Sequence, residues 1–125
     1  MPAREVIERF VATVEAGRYV EAIERFYTED ATMQENQQPP RRGRDALAAH
    51  ERSVLARMKE IHTLPGTQVL VHGDRVVIRW RFVLVYGDGR RTALDEIAWQ
   101  RWSGDLIAEE RFYYDPAQHH LEVVP

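Results

Sequence analysis

The stretch Val69–Asp115, VLVHGDRVVIRWRFVLVYGDGRRTALDEIAWQRWSGDLIAEERFYYD, decides the fold. Runs of β-branched, aromatic and aliphatic residues break at His72-Gly73-Asp74, Gly87-Asp88-Gly89 and Ser103-Gly104-Asp105. Branched and aromatic side chains suit a pleated surface, and Gly-Asp clusters supply tight turns, so the spacing predicts four long strands in an antiparallel meander. Register then decides which residues share a face, because a one-residue slip moves every side chain across the sheet. Three-residue loops at Gly87-Asp88-Gly89 and Ser103-Gly104-Asp105, left-handed at Gly89 and Asp105, place Trp80, Phe82, Glu96, Ala98, Leu106, Ala108, Glu110, Phe112 and Tyr114 together. Arg79, Arg81, Asp95, Arg101, Glu109 and Arg111 then share the other face with Ile97, Trp99 and Tyr113. Two-residue loops would instead put Asp95 and Arg101 among the aromatics, and the first register is preferred because it separates charge better. In it Glu96 faces Phe112 and Ala98 faces Glu110. The two glutamates become diagonal neighbours, roughly 7–8 Å apart at the backbone.

Upstream of the meander the apolar period is helical. Val6, Ile7, Phe10, Val11 and Val14 recur behind Pro2, and Gly17 stands where a helix closes. Val20, Ile23, Phe26 and Tyr27 mark a second short helix. TEDATMQENQQPPRRG is polar and carries Pro39-Pro40, which cannot continue a helix, so a short strand at Thr32–Glu35 followed by a loop is expected. GRDALAAHERSVLARMKE, residues 43–60, reads as a third helix with Leu47, His50, Val54 and Met58 inward. Helices before strands predict one α+β domain over residues 1–125, a curved antiparallel sheet wrapped over three N-terminal helices, with a short tail after Pro116.

Composition narrows the function classes. With 125 residues, 44% of them hydrophobic, the chain suits a single core. Seventeen Lys and Arg against 20 Asp and Glu leave a net charge of −3, which lacks the basic footprint of a nucleic-acid binder. The absence of cysteine excludes a disulfide scaffold, a thiolate metal site and a Cys nucleophile. MPAREVIERF carries no apolar leader and no segment has 18 consecutive apolar residues, so a cytoplasmic protein without a membrane partner is expected. Gly87-Asp88-Gly89 closes a hairpin rather than opening a phosphate-binding helix, and Ser53 has no base-and-orienter set for nucleophilic catalysis. His119-His120 is an adjacent pair without metal-ligand spacing, so neither metal nor cofactor is expected.

Acid–base groups remain. Two carboxyls on an apolar face push each other's pKa up and apart, which is how one fold obtains an acid and a base. The plainer alternative is that Arg or Tyr partners satisfy Glu96 and Glu110, or that both sit at a wet rim. His50, on the inner stripe of the third helix, is either a proton shuttle or a hydrogen-bonded core residue. As a shuttle it is expected within reach of Glu35, Glu96 or Glu110, and partly charged at neutral pH through a neighbouring carboxylate.

The order helix, helix, YTEDATM strand, GRDAL helix and a meander ending RFYYDP resembles the nuclear transport factor 2-like superfamily, over residues 3–117. Within it the chain is most similar to the SnoaL-like, polyketide cyclase-like group. The resemblance implies a cone-shaped fold with an apolar pocket between helices and sheet, often a homodimer through the outer sheet face. It also resembles ketosteroid isomerases in VIERFVATVEAGR. Their oxyanion-hole tyrosine would fall on Phe10, their second acid near Ala98, and their general-base aspartate on Glu35; both donors are missing. Limonene epoxide hydrolase is a third resemblance, and its Asp–Arg–Asp set would fall on Phe82, Trp80 and Phe112, with its Tyr and Asn on Met33 and Glu35. None of the five matches, which excludes epoxide hydrolysis by that route. The resulting pocket inventory has Glu35, His50, Glu96 and Glu110 as catalytic candidates. Phe10, Phe26, Met33, Trp80, Phe82, Ala98, Phe112 and Tyr114 are its ligand-binding candidates. That composition suits a small hydrophobic carbonyl ligand and a cofactor-free isomerase, cyclase or hydratase; the alternative is a non-catalytic ligand-binding or dimerisation domain.

Overall fold

The computed structural model of the chain describes residues 1–123; Val124 and Pro125, the end of the expected tail, lie outside the described residues. Helices α1 (Arg4–Glu15) and α2 (Tyr19–Phe26) come first, then strands β1 (Tyr27–Glu35) and β2 (Arg41–Arg42), and helix α3 (Arg44–Arg57). Strands β3 (Met58–Thr63), β4 (Gln68–His72), β5 (Arg75–Tyr86), β6 (Arg91–Ser103) and β7 (Leu106–Tyr113) follow, with a 3₁₀ turn at Pro116–His120. The sheet runs β2-β1-β7-β6-β5-β3, with β4 also on β5, and curls around the helices. This is the expected α+β cone, with one difference in polarity. β1 pairs parallel to β7, so the sheet is mixed rather than wholly antiparallel.

α1 turns Val6, Ile7, Phe10 and Val14 inward, as the helical spacing requires, and leaves Arg4, Glu5, Glu8 and Arg9 in solvent. Phe10 is the hub of the core. The rings of Phe26, Tyr27, Trp80 and Trp102 meet it edge-on at centroid distances of 5.5, 6.2, 6.1 and 6.0 Å. Each such contact adds about 0.5–1.5 kcal/mol beyond the area it buries.

The third helix stops at Arg57, earlier than its charge pattern suggests. Met58–Thr63 is strand β3 instead, because pairing with the second half of β5 satisfies its backbone and overrides local propensity. Arg41–Arg42, expected in a loop, makes the short β2 against β1. Tyr27, expected on the second helix, opens β1.

Loop lengths divide the expectations. Gly87-Asp88-Gly89 is a three-residue loop, with the Gly89 N–H donating to the Tyr86 carbonyl and Gly89 left-handed at φ 89°. The next hairpin is tighter: Ser103 faces Leu106, so only Gly104-Asp105 turns the chain. The left-handed residue there is Gly104, at φ 59°, not Asp105. A bulge then restores the phase. Arg101 faces Glu109 and Trp102 faces Ile107, leaving Ala108 as the extra residue. Ile107 is therefore fully buried where Leu106 was expected, and Leu106 is exposed. Beyond the bulge Glu110 and Phe112 turn inward as expected, and Asp95, Ile97, Trp99 and Glu109 stay on the outer face.

The pairing itself is shifted. Gln100, not Ala98, faces Glu110, and Ala98 faces Phe112. Glu96 sits opposite Trp80 on β5. Glu96 and Glu110 are thus not diagonal neighbours. They share a face but stand four positions apart along the ladder, roughly 13 Å of strand.

After β7 the chain runs on beside β6. The Gln118 side chain accepts from the Asp95 N–H at 2.8 Å and donates to its carbonyl at 3.1 Å, and the Val123 N–H donates to the Arg91 carbonyl at 2.8 Å. Among the described residues no helix is long and apolar enough to cross a membrane.

Candidate functional site

A cavity of about 210 Å³ lies between the helices and the concave face of the sheet. Glu35, His50, Glu96 and Glu110 all line it, as do Phe10, Met33, Trp80, Phe82, Phe112 and Tyr114. Two expected lining residues do not. Phe26 spends its ring on Phe10 in the core, and Ala98 is fully buried with a side chain too short to reach the space. Tyr19, Tyr27, Arg41, Glu51 and His119 line the cavity without having been foreseen.

Glu110 is wired into the core. Its Oε1 accepts from the Tyr27 hydroxyl, and its Oε2 accepts from Gln100 Nε2 at 2.5 Å. Trp102 Nε1 in turn donates to Gln100 Oε1 at 2.9 Å, so the buried amide of Gln100 is engaged at both its oxygen and its nitrogen. Burial pushes the Glu110 pKa up to about 7, against the two hydrogen bonds, which pull it down. Tyr27, beside that carboxylate in the core, is raised well above a normal phenol by burial and by Glu110.

Glu96 is different. It is 8% exposed, lines the cavity, and has no hydrogen-bond or ion-pair partner among the described residues. Burial raises its pKa to about 8, with Glu110, Glu35 and Glu51 adding repulsion. At neutral pH it is a carboxylic acid whose proton faces an apolar space. Glu51 is raised by burial and by Glu35, and Tyr114 is pushed to about 12 by burial and then by Glu35 and Glu96. Glu35 lies at the rim, 3.8 Å from Arg41.

His50 lines the cavity, but its ring makes no hydrogen bond to Glu35, Glu96 or Glu110. Its pKa is lowered, first by burial and then by Arg41, and Glu35 only partly opposes them. The expected partial charge is corrected: His50 is an imidazole that can accept a proton, not an imidazolium. The site therefore holds a neutral acid, Glu96, and potential bases, His50 and Glu35, around one cavity. No three His, Asp or Glu side chains among the described residues are grouped to hold a metal ion.

Tyr27 escaped notice because it ends an apolar helical stripe, where a buried aromatic reads as core. Glu51 follows His50 on α3, where a charged residue defaults to solvent.

The family model described as a SnoaL-like domain matches residues 7–110. A polyketide cyclase candidate from Pseudomonas putida shares the fold over 99% of both chains, with 20% identity and a TM-score of 0.80. A SnoaL-like polyketide cyclase candidate from Mesorhizobium loti is 24% identical, covering 88% of this chain and 97% of its own, with a TM-score of 0.68. TerC, crystallised with polyporic acid, is 16% identical over 93% of both chains, with a TM-score of 0.78. No curated protein matches the chain. At these identities the likeness between structures is one of fold.

Proposed function

Since the chain belongs to the SnoaL-like domain family, we propose that its cavity binds a hydrophobic carbonyl compound and performs cofactor-free acid–base chemistry on it, as an isomerase, cyclase or hydratase. The observation that carries this reading is Glu96, an unpartnered carboxyl opposite Trp80, held neutral at physiological pH by its surroundings. A carboxylic acid facing an apolar cavity gains most from donating to a carbonyl oxygen. The neutral ring of His50, or Glu35 at the rim, would take the proton from the adjacent carbon, so that one proton leaves carbon as another arrives on oxygen, giving an enol. Return of a proton at a different carbon is isomerisation, and attack of the enol on a second carbonyl is cyclisation. The TerC neighbour, seen with polyporic acid, supports a small organic occupant.

A second reading is a binding domain without turnover. It draws on Phe10, which offers no hydroxyl, and on Glu110, whose two oxygens are already engaged by Tyr27 and Gln100. Deuterium exchange at the α-carbon of small aromatic ketones in D₂O, followed by NMR, separates the two. The enzyme reading expects exchange faster than in buffer, slowed about 10²–10⁴-fold by Glu96→Gln. Ketones that bind without accelerated exchange would leave the binding domain.

A further inference from the structure

Four carboxyls open onto the cavity, Glu35, Glu51, Glu96 and Glu110, against one guanidinium, Arg41, which already lies 3.8 Å from Glu35 at the rim. The other titratable groups facing the space are His50, His119, Tyr19, Tyr27 and Tyr114, and none of them brings a fixed positive charge. Glu51 is central to this acidic set. Its charge bears on both Glu96 and Glu110, and it feels Glu35 in turn. No arginine or lysine among the described residues pairs with it, and its side chain makes no hydrogen bond. An ionised acid in such a place is under-compensated, since burial is costly unless an opposite charge is near. The second observation is Glu96, nine-tenths buried, unpartnered and turned into the same cavity. The remaining wall is aromatic: Phe10, Trp80, Phe82 and Phe112 present ring faces and edges of the kind that hold organic cations.

We infer that the ligand of this cavity carries a positively charged nitrogen beside its carbonyl group, the nitrogen lying against Glu51 and the aromatic wall while Glu96 meets the carbonyl oxygen. This rests on the reading of the cavity as a small-molecule site and sharpens it to amine-bearing, not anionic, compounds. Division of labour between the acids follows from their surroundings. Glu96, the most deeply buried of the unpaired carboxyls, keeps its proton, and Glu51, less enclosed, takes the charge that pairs with the cation.

Phenyltrimethylammonium, charged at every pH, and tert-butylbenzene, its neutral isostere, test this by titration of the intact protein at pH 5 and pH 7. The expected result is a preference of about tenfold or more for the cation at pH 7, shrinking at pH 5 as the carboxyls take up protons. Glu51→Gln should remove most of the preference and leave tert-butylbenzene affinity within about twofold. Glu96→Gln should keep the preference at pH 7, because there its carboxyl is protonated and serves the carbonyl end. Equal binding of the two compounds, or a preference that survives Glu51→Gln in a protein with an unchanged thermal melt, would overturn the inference and leave the cavity a site for neutral ligands. If neither compound binds, the inference falls together with the reading of the cavity as a ligand site.

Discussion

Glu96 and Glu110 tie the stability of this protein to pH in the direction opposite to a salt-bridged acid. Both titrate higher in the folded chain, at about 8 and about 7, than the usual 4.5 that an unfolded chain approaches. The folded state therefore binds more protons than the unfolded one between those limits, and stability falls as pH rises through them. The melting temperature should be highest near pH 5 and decline towards pH 8.5. Glu96→Gln should flatten much of that decline. A melting temperature that climbs from pH 5 to 8 would refute the assignment. Both residues were legible in the sequence as inward-facing: alternation along β6 carries Glu96 to the aromatic face, and Glu110 reaches it because the bulge at Ala108 offsets the shorter hairpin loop. What alternation could not supply was their partners. Tyr27 reaches Glu110 across 83 positions of sequence, a contact that no local pattern encodes.

At the scale of elements, turn chemistry was read correctly where glycine left no choice and wrongly where it left two. Gly87-Asp88-Gly89 needs its left-handed residue at Gly89, at φ 89°. Nothing lies within 4 Å of where a Cβ would stand, so Gly89→Ala tests backbone strain alone. Its expected cost is about 1–2 kcal/mol, read from denaturant unfolding, with the cavity unchanged. A neutral or stabilising result would show that the loop relaxes to another turn. Ser103-Gly104-Asp105 allowed a two- or a three-residue loop. The choice was made elsewhere, by the bulge at Ala108, which lets Trp102 and Ile107 both face the core while Glu110 still turns inward. β3 was illegible for a related reason. Met58–Thr63 mixes charge and apolar residues without a clean period of two, and only its partner β5 selects the strand.

For the molecule as a whole, the outer face of the sheet was foreseen almost residue by residue, and it bears on assembly. Trp99 is 44% exposed, with Ile97 and Tyr113 beside it. Two of its arginines are compensated within one chain: Arg79 holds Asp95 at 2.6 Å and Arg101 holds Glu109 at 3.1 Å. Arg75 and Arg111 instead cover Trp99 and Tyr113 at 5.4 and 4.8 Å from the ring centroids. The described tail lies along the far end of β6 and leaves Trp99 open. We propose a homodimer through this face with Trp99 near its centre, and a light-scattering mass of 14.6 kDa at micromolar concentration would exclude it. The parallel pairing of β1 with β7 has a consequence in time. During synthesis the ribosome releases Tyr27 and Glu35 long before Glu110 and Phe112, and the first strand made can dock beside its neighbour only when the last one emerges. The closing of so long a loop is slow relative to hairpin formation, so the β3–β7 meander should assemble first and the β1 edge should join late. The nascent chain thus has no finished cavity to occupy, and the acids that line it first meet only once β7 has been made.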